Sequence, residues 1–500
     1  MSRGINRREF IKEISLSAAA LALAPGVARA ERRGGIKLMS GPKNVVILGG
    51  GLAGLAAGFE LKSAGHNITI LEARRFPGGR VQTIRGFADG QYAEAGAVSF
   101  PQSHAFTYGY ATDFGLPLRA AFKFGVDTMA NIRGNRFRIS SIGPTNVPLQ
   151  LTSSERAAGI FGIFSLYLES YLNEVGNPRK PSWPPDALSA IDAVSLRQLL
   201  SDRGASQGAI DIIEASQLGL LGFGLDSFSA MDGVVTEAIA SDPVFYEIVD
   251  GNDQLASVLK KRVKKQFRKA SVVTRIEQNA NSVTVAYTNA DGPQTITADR
   301  VICTLPFPVL KEIQVSPPFS QAKQRAINEL KLTPVTRTYL QFRNRVWEQA
   351  GFSGYGLSDL PIQNTYSPTL TQGGSRGILT AYTGGQRALD LGAMSESDRQ
   401  SFVLRQMGNL FNGLGEFESG VSQIWHEDPW ARGGFTYFEP GQMTTLLPIA
   451  QRAEGRIHFA GEHTSAWHGW MNGALESGNR AAVEVNDAEG VAELALRVTG

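Results

Sequence analysis

Residues 45–54 read VVILGGGLAG, an apolar run of strand type that ends in the motif Gly49-x-Gly51-x-x-Gly54. The first glycine of such a motif permits a tight turn, and the second lets the backbone approach a pyrophosphate. The third lets the following helix pack closely on its strand. The stretch therefore predicts a strand, a turn that contacts phosphate, and the start of a helix.

The same unit continues through a segment rich in alanine and leucine to a second apolar run, residues 68–71, which ends at Glu72. An acid about 20 residues after the motif typically accepts hydrogen bonds from an adenosine ribose and disfavours a 2′-phosphate. A glycine motif alone is weak evidence, because glycines also occupy ordinary turns. Strand, helix, strand and acid in this order predict a βαβ unit that binds a dinucleotide.

Composition is that of an ordinary globular protein. The 500 residues are 42% apolar and 19% charged, and the formal net charge is +3. So small a charge gives no reason to expect a nucleic-acid or membrane partner. Cys303 is the only cysteine, and the six histidines show no HExxH or comparable ligand spacing. We predict no disulfide and no metal site, and we expect Cys303 to be a buried small apolar residue.

The first 30 residues have the pattern of an export signal. Arg7 and Arg8 precede a mildly apolar stretch at 14–24, and residues 28–30 (ARA) fit a small-residue cleavage site. The apolar stretch is too short to span a bilayer. We predict a twin-arginine signal over residues 1–30, with a disordered basic N-terminus as the alternative. Twin-arginine export carries folded proteins, so we expect a periplasmic or secreted protein with a tightly held cofactor such as FAD, rather than NAD.

Helical and strand patterns alternate along the chain, so we expect discontinuous domains. The predicted FAD-binding domain comprises residues 43–100, 245–310 and 445–490. The predicted substrate-binding domain, which includes a helical part, comprises residues 101–244 and 311–444. Within it we predict helices at 153–175, with Ser153 as N-cap, and at 195–221.

Three further segments carry a family resemblance. Residues 72–81 read EARRFPGGRV, residues 455–464 read GRIHFAGEHT, and residues 468–474 read HGWMNGA. With the glycine motif they resemble the flavin-dependent amine oxidase family over residues 43–486. Residues 92–97 (YAEAGA) and 358–361 (SDLP) are similar to the L-amino-acid oxidase branch. The resemblance implies an α/β fold, in which a GR2-type Rossmann FAD-binding domain is interleaved with an α+β substrate-binding domain of mixed sheet and helices.

The resemblance also implies where FAD binds. Arg80 lies against the flavin pyrophosphate, Glu462 lies near the ribityl phosphate, and the helix after Trp470 points its N-terminus at the flavin. A positive dipole end there stabilises negative charge on a reduced flavin. The predicted cofactor-binding residues are Gly49, Gly51, Leu52, Ala53, Gly54, Glu72, Ala73, Arg74, Gly79, Arg80, Gly96, Ala97, Val273, Gly461, Glu462, Gly469, Trp470 and Met471. No cysteine lies near the C-terminal motif, so we predict non-covalent FAD.

The activity that the resemblance implies is oxidative deamination of a primary amine or L-amino acid. The substrate hydride goes to flavin N5, and O2 reoxidises the cofactor to give H2O2. The predicted catalytic residues are Arg337, Trp470, Trp430 and Tyr366. The two tryptophans are either pocket walls or core residues, and Tyr366 is a candidate for the substrate-carboxylate side. His468 is read as a structural histidine, with a direct catalytic role as the alternative.

Two positions depart from the branch. Its carboxylate-binding arginine falls at Ser99, and the family lysine that holds a water near flavin N5 falls at Arg337. A guanidinium is not equivalent to an ammonium, so three roles stay open for Arg337: organising that water, replacing the missing anchor, or a structural salt bridge. Loss of the anchor at residue 99 favours amines without a carboxylate.

Two rival functions stay open, and the departures at Ser99 and Arg337 motivate the second of them. One is a flavin dehydrogenase that passes electrons to a periplasmic carrier protein. The other is an FAD-binding protein that has lost amine oxidation and serves an interaction role. Family resemblance also suggests a homodimer.

Overall fold

The computed structural model describes residues 36–39, 41–121, 127–139, 147–180, 182–217, 221–242, 244–411 and 413–488, so the export signal predicted for residues 1–30 lies outside them. The strands are β1 (Asn44–Leu48), β2 (Asn67–Leu71), β3 (Thr83–Arg85), β4 (Tyr92–Glu94), β5 (Phe100–Pro101), β6 (Leu118–Ala120), β7 (Asp127–Ile132), β8 (Asn135–Arg138), β9 (Phe245–Ile248), β10 (Phe267–Arg268), β11 (Val272–Gln278), β12 (Val283–Asn289), β13 (Gly292–Ala298), β14 (Arg300–Cys303), β15 (Gln314–Ser316), β16 (Lys331–Leu332), β17 (Val335–Phe342), β18 (Phe352–Ser358), β19 (Asn364–Tyr366), β20 (Gly377–Gly384), β21 (Phe417–Ile424), β22 (Thr436–Tyr437) and β23 (Ile457–Phe459). The helices are α1 (Leu52–Ala64), α2 (Ala105–Asp113), α3 (Ser153–Leu172), α4 (Asp186–Asp192), α5 (Leu196–Asp202), α6 (Gln207–Gln217), α7 (Ala230–Ile239), α8 (Asp253–Arg262), α9 (Phe307–Leu310), α10 (Gln321–Glu329), α11 (Val346–Gln349), α12 (Gly385–Gly392), α13 (Glu396–Leu410), α14 (Gln442–Gln451) and α15 (Met471–Asp487).

The predicted βαβ unit forms the middle of a parallel sheet. The strand order is β10-β2-β1-β14-β23, and β1 pairs in parallel with both β2 and β14. Both faces of β1 are buried, which is why its sequence is a continuous apolar run and not an alternating one. Helix α15 packs against α1, so closely that a Cβ at Gly478 would lie 2.3 Å from the Ala53 carbonyl oxygen. Cys303 is buried at the end of β14, and its burial raises the pKa of the thiol to about 12.

A second, seven-stranded sheet has the order β21-β17-β20-β19-β18-β7-β8. It is mixed, because β18 and β7 pair in parallel while β17 pairs antiparallel with both β20 and β21. Every residue of β17 is buried, and the strand lies inside the sheet between β21 and β20. Helices α3 to α7 add a helical part, whose apolar side chains belong to the same core cluster as those of β1 and β14. The architecture is the α/β fold that the resemblance implies.

Two helix predictions need correction. The helix expected at 153–175 ends at Leu172 and is capped by Thr152, because Thr152 and Glu155 form a reciprocal capping box. The helix expected at 195–221 is two helices, α5 and α6, because Gly204 between them adopts a φ of 79°. None of the helices in the described ranges is long and apolar enough to cross a membrane.

Candidate functional site

A cavity of about 300 Å³ opens at the carboxyl ends of the parallel strands. Its lining includes Gly49 after β1, Glu72 after β2, Thr304 after β14 and Gly461 after β23. Ligands of open α/β sheets bind at this edge, because the strand-to-helix turns present backbone N–H groups and helix N-termini there. The topology alone therefore makes this cavity the candidate site.

The glycine turn builds one end of the cavity. Gly51 is the N-cap of α1 and makes no side-chain cap bond, so the first N–H groups of this helix have no side-chain acceptor. The turn fits because its residues are small: Gly49 has a φ of 102°, and a Cβ at Gly54 would lie 2.1 Å from the Gly49 carbonyl oxygen. A bare helix N-terminus behind a Cβ-free turn fits a pyrophosphate.

Glu72 stands beside this turn with its carboxylate buried. Its Oε2 accepts a hydrogen bond from the Gly50 N–H at 2.6 Å, and its Oε1 accepts one from the Arg74 N–H at 2.7 Å. Burial raises the pKa of this carboxyl, and the two backbone donors oppose the rise. The two backbone N–H groups thus orient the Glu72 carboxylate, and it lies where an adenosine ribose would need a hydrogen-bond acceptor.

A buried ion pair joins the two ends of the cavity. Arg80 donates from Nη1 to Glu462 Oε1 at 2.6 Å, and Glu462 Oε2 accepts from the Gly469 N–H at 2.8 Å. Thr436 also donates to Glu462, from its backbone N–H and its hydroxyl. Burial by itself raises the pKa of Glu462, but Arg80, His463 and the Gly469 N–H lower it to about 2. The carboxylate therefore fixes β22 and the turn before Trp470.

Aromatic side chains line the other end. Trp425, Trp430 and Trp470 all line the cavity. Trp430 and Trp470 are half-buried, whereas Trp425 is buried and donates to the Ala95 carbonyl at 2.7 Å. The Trp470 ring meets His104 edge to face, with centroids 4.8 Å apart. Phe435 and Tyr382 complete this end, which suits an apolar or aromatic substrate.

Arg337 lines the same end from β17. Its Nη1 donates to the carbonyl oxygens of residues 94, 95 and 96, and its guanidinium lies 4.3 Å from the Tyr382 ring centroid. Within the described ranges it forms no ion pair, so the salt-bridge role left open above is replaced by contacts to neutral carbonyls.

His468 lines the cavity and forms a buried ion pair behind it. Its Nε2 lies 2.7 Å from Asp232 Oδ1, and both side chains are buried. Asp232 Oδ2 also accepts from the Phe438 N–H at 2.8 Å. Burial lowers the pKa of His468, but the Asp232 carboxylate outweighs it, so the net pKa is raised. The pair ties α7 of the helical part to the turn that carries Trp470, which supports the structural reading of His468.

Asp232→Asn is expected to lower the free energy of unfolding by about 1–3 kcal/mol at pH 6, because the buried His468 loses the carboxylate that holds its proton and becomes neutral. A raised His pKa stabilises the fold fully below the unfolded value of 6.5 and loses this contribution as pH rises through the folded value. The difference between wild type and variant should therefore shrink at alkaline pH, as measured by urea unfolding at pH 6 and 9. Asp226→Asn, at a side chain that is 77% exposed, is the control and should change little. A pH-independent difference would contradict the ion pair.

The cavity brings most predicted site residues together. Those that line it are Gly49, Gly51, Leu52, Ala53, Glu72, Ala73, Arg74, Gly79, Arg80, Gly96, Ala97, Arg337, Trp430, Gly461, Glu462, Gly469, Trp470 and Met471. Three predicted residues are not among the lining: Gly54 packs against the Gly49 carbonyl, Val273 lies on β11 of a separate four-stranded sheet, and Tyr366 lies on β19 opposite Thr380.

Sequence reasoning missed other lining residues. Thr304, Leu305 and Pro306 follow β14 directly, so the rule that sites form after parallel strands would have found them. Phe228 and Thr236 come from the helical part, where no local pattern marks them. Tyr382 lies opposite Arg337 in the β17–β20 pairing, so its place in the site could be predicted only if the register of these two strands were known.

Comparisons with known proteins identify the family of this chain. A family model described as "Flavin containing amine oxidoreductase" matches residues 52–486. A putative L-amino-acid oxidase, YobN, of Bacillus subtilis (strain 168) is 34% identical over 482 residues, covering 91% of this chain and 97% of that protein. An L-amino-acid oxidase of Gloydius blomhoffii is 30% identical over 475 residues and covers 91% of each chain.

Solved structures show the same fold at lower identity. Wild-type putrescine oxidase bound to putrescine superposes with a TM-score of 0.77 at 22% identity, covering 89% of this chain and 99% of that one. Cyclohexylamine oxidase from Brevibacterium oxydans IH-35A gives a TM-score of 0.76 at 19% identity, with the same coverage.

Proposed function

The chain belongs to the family of flavin-containing amine oxidoreductases, and on this premise we propose that it catalyses the oxidative deamination of a primary amine or amino acid with O2 as electron acceptor. It is an FAD-dependent oxidoreductase by family. The reaction type, the acceptor and the peroxide product are the proposal.

One observation carries the proposal. One cavity has two different ends. At one end lie the N-terminus of α1, which has no side-chain cap, and the buried carboxylate of Glu72; at the other end lies an aromatic wall. The first end fits the adenosine and pyrophosphate of FAD, and the second, walled by Trp430 and Trp470, fits a small substrate. FAD bound at the first end would therefore share one cavity with a substrate at the second.

The chain's residues have three tasks around the cofactor. When bound, the flavin accepts a hydride from the substrate carbon and passes the electrons to oxygen, giving H2O2. Helix α15 begins at Met471 after Trp470, an N-cap without a side-chain cap bond, so its positive end favours negative charge beside it. The aromatic walls exclude water from the reacting carbon, and the Arg80–Glu462 pair holds the turn that carries Trp470.

FAD is held without a covalent bond. Cys303 is the only cysteine of the sequence and is not part of the cavity lining. Acid precipitation of the protein is expected to release all of the flavin into the supernatant, and flavin that stays with the pellet would contradict this arrangement.

Aerobic turnover tests the proposal. With a panel of amino acids and plain amines, we expect equal amounts of ammonia and peroxide to form as oxygen is consumed. Dye reduction without peroxide would instead identify a dehydrogenase that uses an electron carrier. Boiled protein and protein stripped of FAD are the controls.

Export to the periplasm is part of the same proposal and is supported by residues 1–30 of the sequence. Changing both Arg7 and Arg8 to lysine is expected to retain the full-length precursor in the cytoplasm, as measured by cell fractionation. Unchanged export of the double variant would contradict a twin-arginine signal.

A further inference from the structure

The cationic side chains that line the cavity have carboxylate partners, with one exception. In the described part of the chain the pairs are Arg74 with Asp428 at 2.5 Å, Arg80 with Glu462 at 2.6 Å and His468 with Asp232 at 2.7 Å. Arg337 is the exception. Because a buried charge without a counter-ion is costly, an unpaired guanidinium in a ligand cavity points to an anionic ligand.

The surroundings of Arg337 supply dipoles but no charge. Arg337 is buried, with 6% of the residue exposed. Its Nη1 donates to three carbonyl oxygens, and its Nε has no hydrogen-bond partner in the described ranges. Glu94 is the carboxyl closest along the contacted segment, but its own oxygens accept from the Asn252 N–H and the Thr83 hydroxyl. Burial raises the pKa of Glu94 to about 8, so at neutral pH it is no counter-ion either.

The guanidinium is also held in place. The three carbonyls come from the segment just before Ser99, and the Tyr382 ring covers one face of the guanidinium. A planar donor group fixed in this way has little conformational freedom left to lose when an anion binds. Ser99 lines the same cavity as Arg337. The position that lacks the anchoring arginine and the arginine that lacks a carboxylate partner therefore belong to one site.

We propose that Arg337 binds the α-carboxylate of the substrate in place of the anchor missing at Ser99, and that the substrates are therefore α-amino acids. This inference rests on the proposed oxidase function and narrows it. It reverses the preference for plain amines that Ser99 alone suggests.

Phenylalanine and phenethylamine test the inference, because they differ only in the carboxylate and their ring suits the aromatic wall. For Arg337→Met, the ratio of kcat/KM for phenylalanine to that for phenethylamine is expected to fall about 100-fold, as for loss of a charge-assisted hydrogen bond in a buried site. Arg343→Met makes the same change at a side chain that is 60% exposed and should leave the ratio unchanged. Arg337→Lys keeps the charge but loses the planar guanidinium that the carbonyls and Tyr382 hold in place, and it should lower the ratio about tenfold.

Two further measurements test the contact between Arg337 and a carboxylate. Benzoate binding, followed by its perturbation of the flavin absorbance, should weaken about 100-fold in Arg337→Met. The double variant Arg337→Met/Ser99→Arg should recover phenylalanine preference by moving the cation to residue 99.

The outcomes separate the two proposals. An unchanged substrate ratio with a lowered flavin midpoint potential would assign the charge to the cofactor and overturn the inference. Wild-type turnover of phenethylamine, with no α-amino acid oxidised, would overturn the inference and leave the oxidase intact. No turnover of either by protein saturated with FAD would overturn the proposed function itself.

Discussion

Replacing Gly54 with alanine is expected to weaken FAD binding strongly. A Cβ at this position lies 2.1 Å from the Gly49 carbonyl oxygen and 3.2 Å from its carbon, and backbone atoms of a tight turn cannot rotate away. The gain in helix propensity from glycine to alanine, about 1 kcal/mol, is too small to offset such an overlap. The turn must shift, and the pyrophosphate loses the N–H groups at the start of α1. We expect affinity for FAD to fall at least about 100-fold, as for the loss of two charge-assisted hydrogen bonds.

The ratio of flavin to protein absorbance after gel filtration, and calorimetric titration of the stripped protein with FAD, measure this effect. Gly408→Ala is the matched control: it makes the same change inside α13, where a Cβ meets nothing within 4 Å. That variant should keep its FAD and gain up to about 1 kcal/mol of stability. Stoichiometric FAD in Gly54→Ala would contradict the proposed geometry of the turn.

Glu462→Gln is expected to produce the second large effect. The change leaves the Arg80 guanidinium without its counter-ion at a site where the glutamate side chain is 8% exposed. Breaking a buried pair from one side costs about 3–5 kcal/mol, and here the Gly469 turn also loses a charged acceptor. We expect a loss of that size in the free energy of unfolding, measured by urea denaturation of the FAD-saturated protein, together with weaker FAD binding.

A surface pair provides the comparison. Glu416→Gln breaks the contact with Arg343, where both side chains are more than half exposed, and should change stability by less than about 1 kcal/mol. Because Glu462 has a pKa lowered from 4.5 to about 2, its contribution is complete above pH 4.5 and is lost between pH 4.5 and 2. The gap between wild type and Glu462→Gln should therefore close in acid. Equal losses in the two variants at neutral pH would refute the role of the buried pair.

The dinucleotide end of the site could be predicted from sequence because its determinants are local. The spacing of Gly49, Gly51 and Gly54 encodes a backbone path, and Glu72 follows at a distance set by one helix and one strand. The parallel sheet then brings these residues to Gly461 and Glu462 at its edge. The domain ranges assigned to the two parts of the chain stay predictions.

The substrate end could not be predicted in the same way, because its residues meet only through tertiary contacts. Phe228 comes from the helical part and Tyr382 from the second sheet, and neither lies in a recognisable motif. The partners of Arg337 are 241 to 243 residues away along the chain, which is why its role stayed open between three possibilities. The folded cavity narrows that role, because in the described part of the chain Arg337 is the lining cation without a carboxylate partner.

Anaerobic mixing of the FAD-saturated protein with phenylalanine, followed at the flavin absorbance maximum, tests the central claim most directly. We expect the absorbance to bleach fully with one equivalent of amino acid and to return when oxygen is admitted, with one peroxide formed per flavin. A fully bound flavin that stays oxidised with every amino acid and amine tried would contradict the account and identify an FAD-binding protein without oxidase activity.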